Sequence, residues 1–351
     1  MGNLFKINYK GECTKLEKSE FKIKGKIPII SQEKEFISGY TDLDIIPIND
    51  LPLIVFGDHT KILKYIDFEF IKGADGVKLL KPNTDYFIPK AFYYILENMQ
   101  IEGIQSYSRH FKYLSKTLIP LPPKSIQEQI IDEILNIEAK EQEQKDIFEE
   151  LEKEIWQLLI PSFQNAPKAK IDSIAKLERG RFSYRPRNAP HLYRDGIYPF
   201  IQTGNVANAK NGKIIFSQTL NEEGLKVSRL FEANTILITI AANIGNTAIL
   251  DYPACFPDSL VSIRPQKSIN IYYLEYFLRT QKEYLNEIAP QSAQKNLNLE
   301  RLSPLSIPIP SIQEQNNIIN KVLIFETQKQ EIDTFLSTIQ EQKENVLKKY
   351  L

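Results

Sequence analysis

Two stretches of the chain, nearly 190 residues apart, read almost alike: IPLPPKSIQEQIIDEI from Ile119 to Ile134 and IPIPSIQEQNNIINKV from Ile307 to Val322. Each is a proline-punctuated exit from a folded region followed at once by a long polar helical pattern, so one design is used twice. The duplication continues upstream in the same order. KLEKSEF (Lys15 to Phe21) answers KLERGRF (Lys176 to Phe182), and Ile27-Pro28-Ile29-Ile30 answers Tyr198-Pro199-Phe200-Ile201. Asp75 and Pro82 answer Asp258 and Pro265, and Gln105-Ser106 answers Gln291-Ser292. The offset drifts from 161 through 171 and 183 to 186, as expected where buried elements are kept and surface loops vary in length.

At 351 residues, 42% of them hydrophobic, the chain is long enough for two cores, one in each half. Cys13 and Cys255 lie in different halves without CxxC spacing, which fits a reducing cytoplasm and suggests no metal site. The start MGNLFKINYKGECTK has no apolar core before a cleavage site, and no run reaches 18 apolar residues. Secretion and membrane spanning are therefore not expected. Lys6 stands where a myristoylation signal needs Ser or Thr.

The formal net charge of zero hides a segregation. It is +2 over residues 1–122, −7 over 123–163, +6 over 164–306 and −1 over 307–351. Any polyanion should therefore meet the globular parts, not the helices. These four segments are the expected divisions: a first domain, a long helix, a second domain and a second long helix. In the first helix Ile130, Ile137, Gln144, Leu151 and Leu158 fall at one heptad position, and Ile134, Glu141, Phe148 and Ile155 at the other. In the tail Ile318, Phe325, Ile332, Ile339 and Val346 alternate with Val322, Lys329, Leu336, Lys343 and Tyr350. Each helix spans roughly 50 to 60 Å at 1.5 Å per residue, and its seam must be buried. The simplest partner is the other helix, antiparallel; the alternative is a different protein for each. Matched ends would bring Glu141 or Gln144 within reach of Lys329. Trp156 is expected to anchor the first helix on the second domain.

The globular halves read as mixed α/β. Ile236 to Ile240, Thr247 to Leu250 and Leu260 to Ile263 are short β-rich runs, parted by Gly245-Asn246 and by Pro253 and Pro257. Leu53 to Phe56, Ile62 to Phe70 and Val77 to Leu80 repeat the scheme, and helical stretches follow at Pro89 to Met99 and Ile271 to Leu285. The aromatics of those helices are spaced as core.

The exit motif with S-I-Q-E-Q, repeated and followed each time by a long helix, resembles the specificity subunit of type I restriction-modification systems. LIVFGDHTKILKYIDFEFIKGADGVKLLKP with YSRHFKYL, and TILITIAANIGNTAILDYPACFPDSLVSIRP with QKNLNLERL, are similar to two styles of target recognition domain in that family. The resemblance covers nearly the whole chain. It implies two target recognition domains of similar α/β fold with two long antiparallel coiled-coil helices between them. Each domain would read one half of a bipartite double-stranded DNA target, and the helices would set the spacer. It further implies methyltransferase subunits, two of them, and restriction subunits as partners. S-adenosylmethionine, ATP and Mg are then expected on the partners, with no cofactor on this chain. The first domain begins almost at its first motif, which leaves open a specificity subunit of a compact, type IIB-like enzyme. A self-contained methyltransferase or nuclease is the rival. Against it, the sequence has no GxxxxGKS loop and no DPPY or NPPF tetrad, and Glu138-Ala139-Lys140 sits mid-helix as a solvated pair.

Duplex recognition needs Lys and Arg for phosphates and polar side chains on loops for base edges. The candidates in the first domain are His59, Thr60 and Lys61 between two strands, and Ser106, Ser108, Arg109 and His110 after the helix. In the second they are Arg179, Arg181, Arg185 and Arg187, with Gln202, Asn205, Asn243, Gln291, Gln294, Lys295 and Asn296. Scaffolding is the competing role for these loops. Asn246 is expected to serve turn geometry, and Asp75 and Asp258 to be structural.

Overall fold

A computed structural model describes residues 5–7, 15–73, 76–99, 110–209, 212–290 and 296–351. Backbone contacts divide the chain into two compact units, Met1–Gln144 with Thr334–Leu351, and Lys145–Asp333. Each unit thus holds one α/β domain and part of both long helices.

In the first unit the strand Leu53–Gly57 lies between Leu63–Ile66 and Val77–Pro82, and Phe5–Ile7 pairs on the far side of Val77–Pro82. All pairs are antiparallel. The central strand is apolar throughout because both of its faces are covered. Successive side chains alternate between faces, so Leu53 and Val55 pack with Ile30, Phe70 and Leu79. Ile54 and Phe56 face the other way, onto Phe92, Ile95 and Leu96 of the helix Pro89–Glu97. A second sheet joins Ile27–Ile30 and Lys15–Leu16 in parallel to Ile71–Gly73, with Gly39–Thr41 antiparallel on its edge. The run Ile62 to Phe70 is therefore not one strand. It breaks after Ile66, and the chain re-enters the second sheet at Ile71.

The second unit repeats this order with Ala175–Arg179, Leu260–Pro265, Thr235–Thr239 and Thr247–Leu250. Ile236 and Ile238 pack on Leu274, Phe277 and Leu278, while Leu237 packs on Phe256, Leu250 and Val206. The expected single helix from Ile271 to Leu285 is two, Ile271–Thr280 and Lys282–Ile288, which meet at Gln281. Phe200 bridges Cys255 in parallel as Ile29 bridges Ile71, so the Ile-Pro and Tyr-Pro segments are equivalent. The KLE segments are not. Lys176 and Leu177 lie in the main sheet, whereas Lys15–Leu16 lies in the second sheet and Phe5–Ile7 occupies the matching strand.

The first long helix runs over Lys124–Asn165, and the tail forms Ile312–Ser337 and Ile339–Tyr350. In the first unit Ile130 and Ile134 share a core with Val346 and Leu347. Lys349 and the Tyr350 hydroxyl both donate to Glu133 at 2.6 Å, and Lys343 donates to Glu138 at 3.1 Å. In the second unit Ile155 and Leu159 pack on Ile319 and Val322, and Trp156 meets Tyr276 edge to face. Rising numbers on one helix meet falling numbers on the other in both units, so the pairing is antiparallel.

The register differs from matched ends. Lys329, 8% exposed, donates to Glu152 at 3.0 Å and lies over the Phe148 ring. Glu141 instead takes Lys343, at 3.9 Å. The expected pairing of Glu141 or Gln144 with Lys329 is thus replaced, because the opening turns of the first helix are held by its own domain. Tyr350, near the end of the tail, reaches only Glu133, nine residues into the first helix (133 − 124 = 9). Glu138 is likewise no solvated pair with Lys140, since it accepts from both Tyr94 and Lys343.

One bond set recurs in both units. Gln127, fully buried, accepts from the Ile88 N–H at 2.7 Å and donates to the carbonyls of Tyr86 (2.8 Å) and Pro122 (2.9 Å). Gln315, also fully buried, accepts from the Asn270 N–H at 2.8 Å and donates to the carbonyls of Ser268 (3.5 Å) and Pro310 (2.9 Å). Ile88 and Asn270 are the residues that open the two domain helices. The S-I-Q-E-Q letters match at an offset of 186, yet these glutamines stand 188 apart (315 − 127 = 188). The first glutamine of one motif is the structural equivalent of the second glutamine of the other.

Candidate nucleic-acid interface

In both units several of the described candidate residues border one end of the main sheet. In the first unit Leu53–Gly57 turns through residues 58–61 into the next strand, and Gly57 N–H closes the turn on the Ile62 carbonyl at 2.8 Å. Lys61 adopts φ +61° and donates its N–H to Gly57 at 2.8 Å. Gln32, which the sequence reading did not single out, braces the turn. Its amide oxygen accepts from the His59 N–H at 3.2 Å, and its carbonyl accepts from the Thr60 hydroxyl at 2.8 Å. Asp58 is 3% exposed; its carboxylate accepts from the Phe111 N–H at 2.8 Å, and its carbonyl accepts from the His110 N–H at 2.7 Å. The turn and the segment entering the helix Phe111–Leu114 are thereby brought together.

Thr60 is exposed, and His59 and Lys61 are half-buried at the rim. His110 departs from the expectation: it is 6% exposed, so its ring faces inward and it belongs to the scaffold. Burial, and next the nearby Lys61, lowers the His110 pKa below the usual histidine value, which favours the neutral ring. Lys64 is buried as well, donating to the carbonyls of Ser31 (3.0 Å), Glu35 (2.5 Å) and Phe36 (3.2 Å), and burial lowers its pKa. It ties the segment around Gln32 to the main sheet. Cys13, Asp75, Ser106, Ser108, Arg109, Gln291, Gln294 and Lys295 lie outside the described residues.

The second unit builds its corner from the same parts. The Leu297 N–H donates to Ile240 at 2.8 Å, as His110 does to Asp58, and Asn296 bridges Ala241. Asn296 therefore stands beside the turn that carries Asn243, and both are exposed. Asn246 serves turn geometry, donating its amide to the Asn243 carbonyl at 2.9 Å, and Gly245 takes φ +85°. Two adjoining cavities of about 290 and 380 Å³ share Ala207, Asn246 and Lys282 along this turn. Gln202 and Asn205 are more constrained than expected. Asn205 caps the Gln202 N–H at 2.8 Å and donates to Ile215 at 2.8 Å, while Gln202 donates to Gln218 at 2.5 Å.

Three of the four arginines gather around Asp258. Arg187 pairs with its carboxylate, and Arg185 approaches the other oxygen at 3.9 Å while donating to the carbonyls of Phe182 (2.7 Å) and Tyr184 (2.9 Å). Arg179 donates through Nε to the Asp258 carbonyl at 2.7 Å. Arg181 is exposed and makes no side-chain hydrogen bond among the described residues. The Ser259 carbonyl accepts from the Ile240 N–H at 3.0 Å, so this group borders the turn that carries Asn243. Asp258 has the structural role expected of it, which is to offset cations that would otherwise repel one another.

Twin α/β domains, each clamped to a pair of antiparallel helices and each gathering polar loops at one sheet end, define a two-part recognition protein. The type I restriction modification DNA specificity domain matches residues 167–348, and the chain belongs to this family. The type I restriction enzyme EcoR124I/EcoR124II specificity subunit of Escherichia coli is 22% identical over 90% of this chain and 85% of its own length. The MjaIX specificity subunit of Methanocaldococcus jannaschii is 30% identical over 45% of this chain and 37% of its own length. The type I restriction-modification S subunit from M. genitalium shares the fold across 99% of this chain and 94% of that one, with a TM-score of 0.58 at 17% identity. No described helix is long and apolar enough to cross a membrane.

Proposed function

We propose that the chain is the DNA-reading subunit of a type I restriction-modification complex, each domain reading one half of a bipartite target. The observation that carries this is the repetition of one sheet order with different loop chemistry at the same sheet end. A repeated scaffold presents a reader twice, and loops that differ let each copy read a different sequence. The paired helices would set the unspecified spacer. Chemistry is assigned to partners: two methyltransferase subunits, docked on the repeated exits and helices, supply S-adenosylmethionine chemistry, and restriction subunits use ATP and Mg.

The test is to co-express the chain with its methyltransferase partner and map the modified bases. A motif of two fixed halves around a fixed unspecified gap is expected. A continuous motif, or methylation or cleavage by the purified chain alone, would overturn the reading.

A further inference from the structure

The four arginines of the second unit are not equivalent. Arg185 spends Nη1 on two carbonyls and Arg187 spends Nη2 on Asp258, so neither keeps both terminal amino groups. Arg181 has its whole guanidinium free but no side-chain hydrogen bond to fix it. Arg179 alone combines anchorage with freedom. Its main chain is fixed in the sheet opposite Val261, and its Nε is tied to the Asp258 carbonyl at 2.7 Å. The adjoining Gly180 allows this approach, since a Cβ there would lie 2.2 Å from the Pro257 carbonyl oxygen. The exposed Nη1 and Nη2 have no hydrogen-bond partner among the described residues.

A guanidinium held by Nε presents its two terminal amino groups as a planar fork, with part of its rotamer entropy already lost before binding. In the major groove guanine offers two adjacent acceptors, N7 and O6, on one edge, which is the pattern that such a fork fits. Resting on the DNA-reading role above, we propose that Arg179 reads a guanine in the half-site of the second unit, with the Asp258 main chain as its positioning group. A phosphate could also accept from the fork, but it carries no base identity, so losing a phosphate contact would flatten the salt dependence without changing base preference.

The experiment measures binding of the complex with its methyltransferase partner to the mapped target, at several salt concentrations. The duplexes carry single substitutions, or 7-deazaguanine in place of each guanine of this half-site in turn; 7-deazaguanine lacks the N7 acceptor. For the natural chain one guanine should matter, with base substitution there weakening binding roughly 5- to 150-fold. Its 7-deaza form should also bind more weakly. In Arg179→Ala that discrimination should fall to near one, with the first half-site still read and the salt slope kept. Should every 7-deazaguanine leave binding by the natural chain unchanged, or should Arg179→Ala keep full discrimination, the assignment to guanine is wrong. The 7-deaza arm needs no variant to fold. Loss of all sequence-specific binding by the natural chain would instead remove the DNA-reading role itself.

Discussion

The two candidate corners share a scaffold and differ in how tightly they are tied. In the first unit a four-residue turn is braced from two sides, by Gln32 and, through Asp58, by the segment at His110. In the second the corresponding turn spans residues 240–246 and borders two open cavities, with arginines grouped on Asp258. Identical strand order thus leaves the chemistry of the corner free. Hydrogen bonds between strands fix where the loops begin and end, while loop length and composition set what they offer.

The comparison breaks most visibly by exchange. Replacing residues 1–118 with the corresponding domain of a relative should change one half of the methylated motif completely and leave the other untouched. A change in both halves would mean the corners are not independent readers. Next in size is the repeated glutamine. Gln127→Ala and Gln315→Ala each orphan a buried N–H, at a cost of about 1–3 kcal/mol in urea unfolding. Similar costs support structural equivalence, and a cost in only one would break it. Smaller is the effect of Arg181→Ala, which should make the negative slope of log affinity against log salt shallower by about 0.9 without altering the motif. A slope equal to that of the natural chain would assign Arg181 to solvent.

The smallest effect concerns acid. His110 has its folded pKa lowered by burial, so the unfolded chain binds the proton more readily. Its stabilising contribution is therefore present above the ordinary histidine value of about 6.5 and is lost as pH falls through the folded pKa. Asp58, His59, Lys61 and Lys112 are the charged neighbours. His110→Phe should flatten the fall in stability between about pH 7 and pH 5, and an unchanged profile would place the acid response elsewhere.

Strands with continuous apolar runs were legible in the sequence: Leu53–Gly57 and Thr235–Thr239 are buried on both faces and bounded by turn residues. The helix seams were legible for the same reason, since Ile134, Ile155 and Val322 all lie buried at heptad positions. Partner choice along those seams was not. The heptad fixes a face but not a register, and Lys329 found Glu152 because each helix is first docked on its own domain. Lys64 was hidden by alternation: a polar residue in a strand reads as solvent-facing until a loop supplies three carbonyls. The match of KLEKSEF to KLERGRF misled because letters can repeat where strands do not. At the candidate sites, residue type identified the loops but not which side chains the fold itself consumes, as His110 and Asn205 show.

The glutamine clamp has a consequence for how such a protein can diversify. On the domain side Gln127 and Gln315 make their hydrogen bonds to main-chain groups: the N–H of Ile88 or Asn270 and the carbonyl of Tyr86 or Ser268. The side chains at those positions are unrelated, yet the joint is the same. A bond made to backbone atoms places no demand on the side chain at the position it grips, so at this joint the domain's residues can change while the glutamine's grip is kept.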